Sequence, residues 1–153
     1  PKLKARKALT RPHLYFDYDL VASIGGQIDY WGLLPNDIDV DMYVMKHPDR
    51  NCTYEEAKAV LNRNKDSVEN VLNQMYRFKD AGFPENHGMI ATGFMIRKYS
   101  ERMKRFSELW WEEIQRDSFR DQLAFNYVLW KNPLIEYKTI DVKEIRINPH
   151  LKK

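Results

Sequence analysis

The chain has 153 residues, of which 43% are hydrophobic and 13% aromatic, and a formal net charge of +3. That length suits one domain with a sizeable core, and the composition is that of an ordinary globular protein. A single cysteine, Cys52, excludes an internal disulfide and a cysteine-rich metal site, and no apolar run reaches the ~20 residues that a membrane span needs.

In chain order, Lys2, Lys4, Arg6, Lys7 and Arg11 form a terminal charge run that is expected to be solvated. The start at Pro1, with no initiator Met and no visible signal peptide, is expected of a fragment or a trimmed chain. Asp19 to Ile24 is a short apolar run ended by Gly25-Gly26, and it predicts a buried strand entering a tight loop. Asp39 to Lys46 alternates and predicts a second strand, running into His47-Pro48-Asp49-Arg50. Thr53-x-x-Glu56 has the form of a capping box, with Ala57, Val60 and Leu61 inward on the helix that follows. A longer helix is expected from about Ser67 to Ala81, with Val68, Val71, Leu72 and Met75 on one face and a stop at Gly82. Gly88 to Arg97 predicts a central strand in which Gly93 marks a close backbone approach. Late strands are expected at residues 135–140 and 142–147.

The most informative stretch is Tyr99 to Trp130. Met103, Phe106, Trp110 and Ile114 make one helical stripe, and Phe119, Leu123, Tyr127 and Trp130 make another. Two such stripes need a broad apolar surface, and a sheet supplies it. The turn between them, residues 116–122, then lies at the sheet rim, where chemistry is commonly placed. Ser118-x-x-Asp121 reads as a capping box, which competes with a catalytic reading of Asp121. Strands alternating with helices predict a layered α/β domain, whose ligands bind beyond the strand carboxyl ends. Gly25-Gly26-Gln27, His47 to Arg50 and Gly93 with its neighbours all fall there.

The acidic pairs Asp17-x-Asp19 and Asp39-x-Asp41 have a spacing that can hold a divalent ion, but the first precedes its strand, the wrong end, and the second is more simply read as solvated. The histidines, His13, His47, His87 and His150, lack the spacing of a zinc helix. Arg50 has the chemistry to grip a phosphate bidentately, or to form a salt bridge at a helix start. Gly25-Gly26 carries no dinucleotide fingerprint and no P-loop.

Several stretches together resemble a known family. They are His13 to Asp19, His47-Pro48-x-Arg50-x-Cys52-x-Tyr54-Glu55-Glu56-Ala57, Tyr76-Arg77 with Gly82-Phe83-Pro84, Gly88-Met89-Ile90, Trp110-Trp111-x-Glu113-Ile114, and Arg120-Asp121-Gln122-Leu123-x-Phe125. Their order resembles a glycosyltransferase-like domain, formerly a domain of unknown function, with members in bacterial polysaccharide clusters, plant Golgi proteins and large algal viruses. That family is similar in design to the GT-A glycosyltransferases.

The resemblance implies transfer of a sugar from a nucleotide-sugar donor to a glycan acceptor, with Mn²⁺ or Mg²⁺ on the diphosphate and no nucleic-acid partner. It implies a cytoplasmic location, or the Golgi lumen for a plant-type relative. It places Asp121 at the donor sugar, with Gln122 on sugar hydroxyls. Gly25, Gly26, Gln27, His47, Arg50 and Arg120 are expected at the donor, and Thr92, Gly93 and Trp111 at the acceptor. Trp110 and Trp111 are adjacent and are not both expected to point inward. Two departures stand out. Where the family has Ile-Asp-Gly-x-Ile, this chain has Ile24-Gly25-Gly26-Gln27-Ile28, so Asp29 and His150 become the expected metal ligands. GT-A domains also open with a strand and loop that cradle the nucleotide base, and this chain is expected to begin after that unit, either lacking it or being only part of the domain. The rival readings are a catalytically impaired GT-A-like binding module and a basic nucleic-acid-binding domain.

Overall fold

A computed structural model describes residues 2–25, 28–29, 38–140 and 146–147. Helix α1, Lys2–Thr10, leads through a 3-10 turn at Pro12–Leu14 into β1, Leu20–Ile24. Then come β2, Ile28–Asp29; β3, Met42–Lys46; α2, Thr53–Asn62; α3, Val68–Asp80; and β4, Ile90–Lys98. The chain continues through α4, Glu101–Arg116; α5, Asp121–Lys131; β5, Tyr137–Ile140; and β6, Arg146–Ile147.

The fold is mixed α/β, as expected, with a four-stranded sheet in the order β1-β4-β3-β5. β4 is central and runs antiparallel to both β1 and β3, while β3 and β5 are parallel. Because only β4 is reversed, β1, β3 and β5 all end on the rim where β4 begins. The loops after β1 and after β3 therefore share a rim, although most of the pairing is antiparallel. β2 and β6 form a separate two-stranded ribbon.

β4 is buried on both faces, which fits its near-continuous apolar sequence. Its pairing with β3 is interrupted by a bulge: Val44 pairs with Met95, but the next residue, Met45, pairs with Ala91. Thr92, Gly93 and Phe94 thus form the bulged stretch of β4. Such a bulge re-aims side chains. Ile90 and Met95 pack with the helices, whereas Ala91, Phe94 and Ile96 join the smaller cluster on the other face.

The main core lies between this sheet and α2 to α5. The predicted stripe of α4 is fully borne out, with Met103, Phe106, Trp110 and Ile114 all buried. α5 is buried nearly all round, from Leu123 to Val128, so its inward surface is wider than the expected stripe, and Phe119 and Trp130 are only half-buried. Phe78 stacks on Tyr127 at a centroid distance of 3.9 Å, tying α3 to α5.

Several local expectations are corrected. The stretch from Leu20 to Ile24 is a half-buried edge strand, not a buried one, because only β4 pairs with it. Val68 and Leu72 are exposed on α3, and Gln74 and Phe78 take their inward places beside Val71 and Met75. Thr53 does not cap α2: Cys52 stands at the cap position without a side-chain bond, and the Thr53 hydroxyl turns to the sulfur of Met89. The terminal charge run is not merely solvated. It forms α1, which packs on α4 and buries the second face of that helix. Trp111 is therefore buried as well as Trp110, with the Arg11 guanidinium 5.1 Å from its ring centre. Both indoles find room inside because α4 is covered on two sides. Gly82 ends α3 as expected, at φ +81°.

Candidate functional site

The turn between α4 and α5 is held from below by Asp66. Its carboxylate accepts the Ser118 hydroxyl at 2.7 Å and the Phe119 N–H at 3.1 Å, and the Ser118 oxygen in turn accepts the Arg120 N–H at 3.2 Å. Ser118 is thus consumed by the turn. Arg120 is the cap residue of α5 and Asp121 its first helical residue, with no side-chain cap at all. The capping-box reading of Ser118 and Asp121 is overturned. The carboxylate turns sideways, toward the bulge of β4.

There it is fully engaged on one side. Thr92 donates its hydroxyl to Asp121 Oδ2 at 2.6 Å, and Arg6 Nε donates to Oδ1 at 3.1 Å. Asp121 is 3% exposed. The Trp110 indole N–H fixes the backbone of the same residue, bonding its carbonyl at 2.8 Å. A carboxylate has about four acceptor positions, and Thr92 and Arg6 occupy two of them.

Around this group lies a pocket of about 460 Å³, lined by Arg6, Leu9, Ser23, Ile24, Gly25, Thr92, Gly93, Arg120 and Asp121. β1 delivers Gly25 to it, the β4 bulge delivers Thr92 and Gly93, and the start of α5 delivers Arg120 and Asp121. Gly25 and Gly93 touch backbone to backbone, with Gly25 N–H donating to the Gly93 carbonyl at 2.7 Å. A Cβ on Gly25 would lie 3.1 Å from that same oxygen. Gly25→Asp is therefore expected to cost about 1–3 kcal/mol as an overpacked site, read as a lowered midpoint in thermal unfolding.

The charges in the pocket are uneven. Arg6 is paired with Asp121, but Arg120 has no ion-pair partner among the described residues, and its Nε is buried without a hydrogen bond. Two guanidinium groups against one carboxylate leave a net positive lining. Among the described residues this donor set does not fit a divalent cation, because its one carboxylate is already held by Arg6 and Thr92. It fits an anion. Among the described residues no group of three or more His, Cys, Asp or Glu side chains is placed to hold a metal.

Of the residues the sequence singled out, Gly25, Thr92, Gly93, Arg120 and Asp121 come together here. Gln122 follows Asp121 on α5 but does not line the pocket. Trp111 is withdrawn into the core beneath Arg11. Gly26, Gln27 and His150 lie outside the described residues, and Asp29 is described only by its backbone pairing with Arg146.

His47 and Arg50 form a second cluster after β3, away from the pocket lining. Arg50 Nε bonds Glu56, a salt bridge at a helix start, which is the simpler of its two readings. His47 Nδ1 accepts the backbone N–H groups of Asp49 at 3.1 Å and Arg50 at 3.0 Å, and the Arg50 Nη2 lies 3.2 Å from Nε2. Burial, and then the charge of Arg50, hold the His47 imidazole below its ordinary value. A His whose folded value is depressed contributes stability above its unfolded value that is lost as the pH falls through the folded one. The unfolding midpoint is expected to drop from about pH 7 to about pH 5, and His47→Asn should flatten that part of the profile, as thermal melts across the range will show.

Of the two acidic pairs, Asp39-x-Asp41 is spoken for. Asp41 is buried and accepts the Glu136 N–H at 2.9 Å and Arg102 at 2.8 Å, while Asp39 bonds Lys138 and the Tyr43 hydroxyl. Sequence reasoning missed Arg6, which reached the pocket only because α1 folds over α4. It also missed the pairing of Thr92 with Asp121.

The fold and this pocket define an α/β protein with a cationic, carboxylate-bearing cleft at the sheet rim. The chain belongs to the TOD1/MUCI70, glycosyltransferase-like domain family, whose model matches residues 34–144. No curated protein and no solved structure matches the chain. The matched stretch contains Thr92, Gly93, Arg120 and Asp121. No helix among the described residues is long and apolar enough to cross a membrane.

Proposed function

We propose that the chain transfers a sugar from a nucleoside-diphosphate sugar to a hydroxyl of a glycan, using the pocket around Asp121. The observation that carries this reading is the buried, unbonded Nε of Arg120, a guanidinium with no ion-pair partner among the described residues, beside a buried carboxylate that caps nothing. Arg120, with Arg6 opposite, neutralises the diphosphate and stabilises the charge that develops on it as the sugar leaves. Asp121 faces the sugar. It takes the proton of the incoming hydroxyl, or offsets positive charge near the anomeric carbon. Thr92 and Arg6 fix its orientation.

Uridine, guanosine and thymidine diphosphate sugars, compared by thermal shift, test the reading. At a concentration ~100 times the dissociation constant, the right donor adds ~2.7 kcal/mol. Arg120→Gln should remove most of that gain while leaving the unliganded melting temperature nearly unchanged, since Arg120 makes no ion pair among the described residues. A flat response across all donors contradicts the reading. A second reading rests on Gly25, which stands where the family pattern has an aspartate: a binding module that holds the donor without transferring it. It predicts the same thermal shift with no release of nucleoside diphosphate in the presence of glycan acceptors.

A further inference from the structure

Arg97 is the one fully buried arginine near this pocket whose charge meets no carboxylate among the described residues. It sits on β4 at 2% exposure. Isolated buried charges are costly, and burial pushes this guanidinium down to about 10. Its donors go to the C-terminal end of α1 instead. One terminal nitrogen bonds the Leu9 carbonyl at 2.6 Å and the Ser23 hydroxyl at 3.0 Å, and the other bonds the Thr10 carbonyl at 3.3 Å. Carbonyls at a helix end lack partners within the helix and carry partial negative charge, so a cation there is favourable.

The contact continues toward the pocket. Thr10 is fully buried, and its hydroxyl bonds the Arg6 carbonyl at 2.9 Å, one turn back along α1. Arg6 then reaches Asp121, and Asp121 is held from the other side by Thr92. Thr92 and Arg97 both belong to β4, so the bonds close a ring from the strand, through α1, to the carboxylate and back. The bulge at Thr92 to Phe94 makes the ring possible, because it puts Thr92 and Arg97 on the same side of the sheet despite their odd spacing.

We infer that Arg97 is a positioning residue of the pocket: it fixes the last turn of α1 and, through Thr10, sets where Arg6 meets Asp121. The inference rests on the pocket being a ligand site only for its consequence, the affinity for a diphosphate. The positioning itself is read without any ligand.

The test uses Thr10→Val, which removes the hydroxyl at nearly constant shape, and Arg97→Lys, which keeps the charge but not the forked donors. The Nε–H resonance of Arg6 reports its ion pair directly by NMR. Both variants should move it toward the position of a free arginine. Pyrophosphate is the probe for affinity, and its dissociation constant by calorimetry should rise about tenfold in each, the scale of one bond to a charged group. In an Arg6→Gln background the same changes should add no further loss of pyrophosphate affinity, although they still lower the melting temperature. An unmoved Arg6 resonance, or losses that simply add in the double variants, overturns the inference and leaves Arg97 a structural residue. If the unaltered protein does not bind pyrophosphate, the proposed function has failed instead, and the Arg6 resonance alone decides the role of Arg97.

Discussion

Asp121→Asn is expected to cut sugar transfer by ~10²-fold or more with the fold intact, the scale of losing a general base. The amide keeps the size and can still accept the Thr92 hydroxyl, but it has no charge for the sugar or for Arg6. The stability cost should stay near ~1 kcal/mol, because Arg6 is 28% exposed and can turn to water. Ser118→Ala is the matching control. It leaves the charge of Asp121 untouched and removes the buried hydroxyl between Asp66 and the Arg120 N–H. Leaving those groups unsatisfied should cost about 1–3 kcal/mol of stability, with a much smaller effect on turnover. Melting curves and initial rates on the two variants separate the roles. Parallel losses of stability and rate in both would reduce Asp121 to a structural carboxylate.

Trp110→Ala should give the largest loss of stability, about 3–5 kcal/mol. Trp110 is fully buried, packs edge-on against Phe125 at 4.9 Å, and joins α4 to α5. For a chain of this size, each kcal/mol moves the melting temperature by about 2–4 °C, so the loss is easily read in a thermal melt. Trp110→Phe keeps most of the packing and loses the indole N–H bond to the Asp121 carbonyl. It should cost far less stability, yet still disturb turnover through the position of Asp121. A rate unchanged in Trp110→Phe would mean that the helix start is fixed by Asp66 alone.

The helices and the central strand were legible because their apolar periodicity is strong: the α4 stripe and the apolar run of β4 are both where the pattern put them. The pocket was legible in part, since Gly25, Gly93 and Asp121 carry the signatures of a tight approach and a helix start. What stayed hidden depended on long-range contacts. Arg6 sits in a basic run that has no apolar face of its own, and only packing on α4 brings one side of that run to the pocket. The capping pattern at Ser118 misled because Asp66, 52 residues earlier in the chain, outcompetes the local partners. Trp111 was assigned outward because a helix facing a sheet has one buried stripe, and α1 gives α4 a second. The bulge that turns Thr92 toward Asp121 has no signal in sequence beyond the glycine next to it.

The central claim is that the cleft around Asp121 holds the diphosphate of a sugar donor. Backbone amide shifts during titration with uridine, guanosine and thymidine diphosphates test it most directly. The account predicts shifts at Gly25, Thr92, Gly93, Arg120 and Asp121 with at least one of them, and their loss in Arg120→Gln. Shifts confined to the separate pocket lined by His87, Ile90, Trp130 and Tyr137 would place the ligand elsewhere and contradict it.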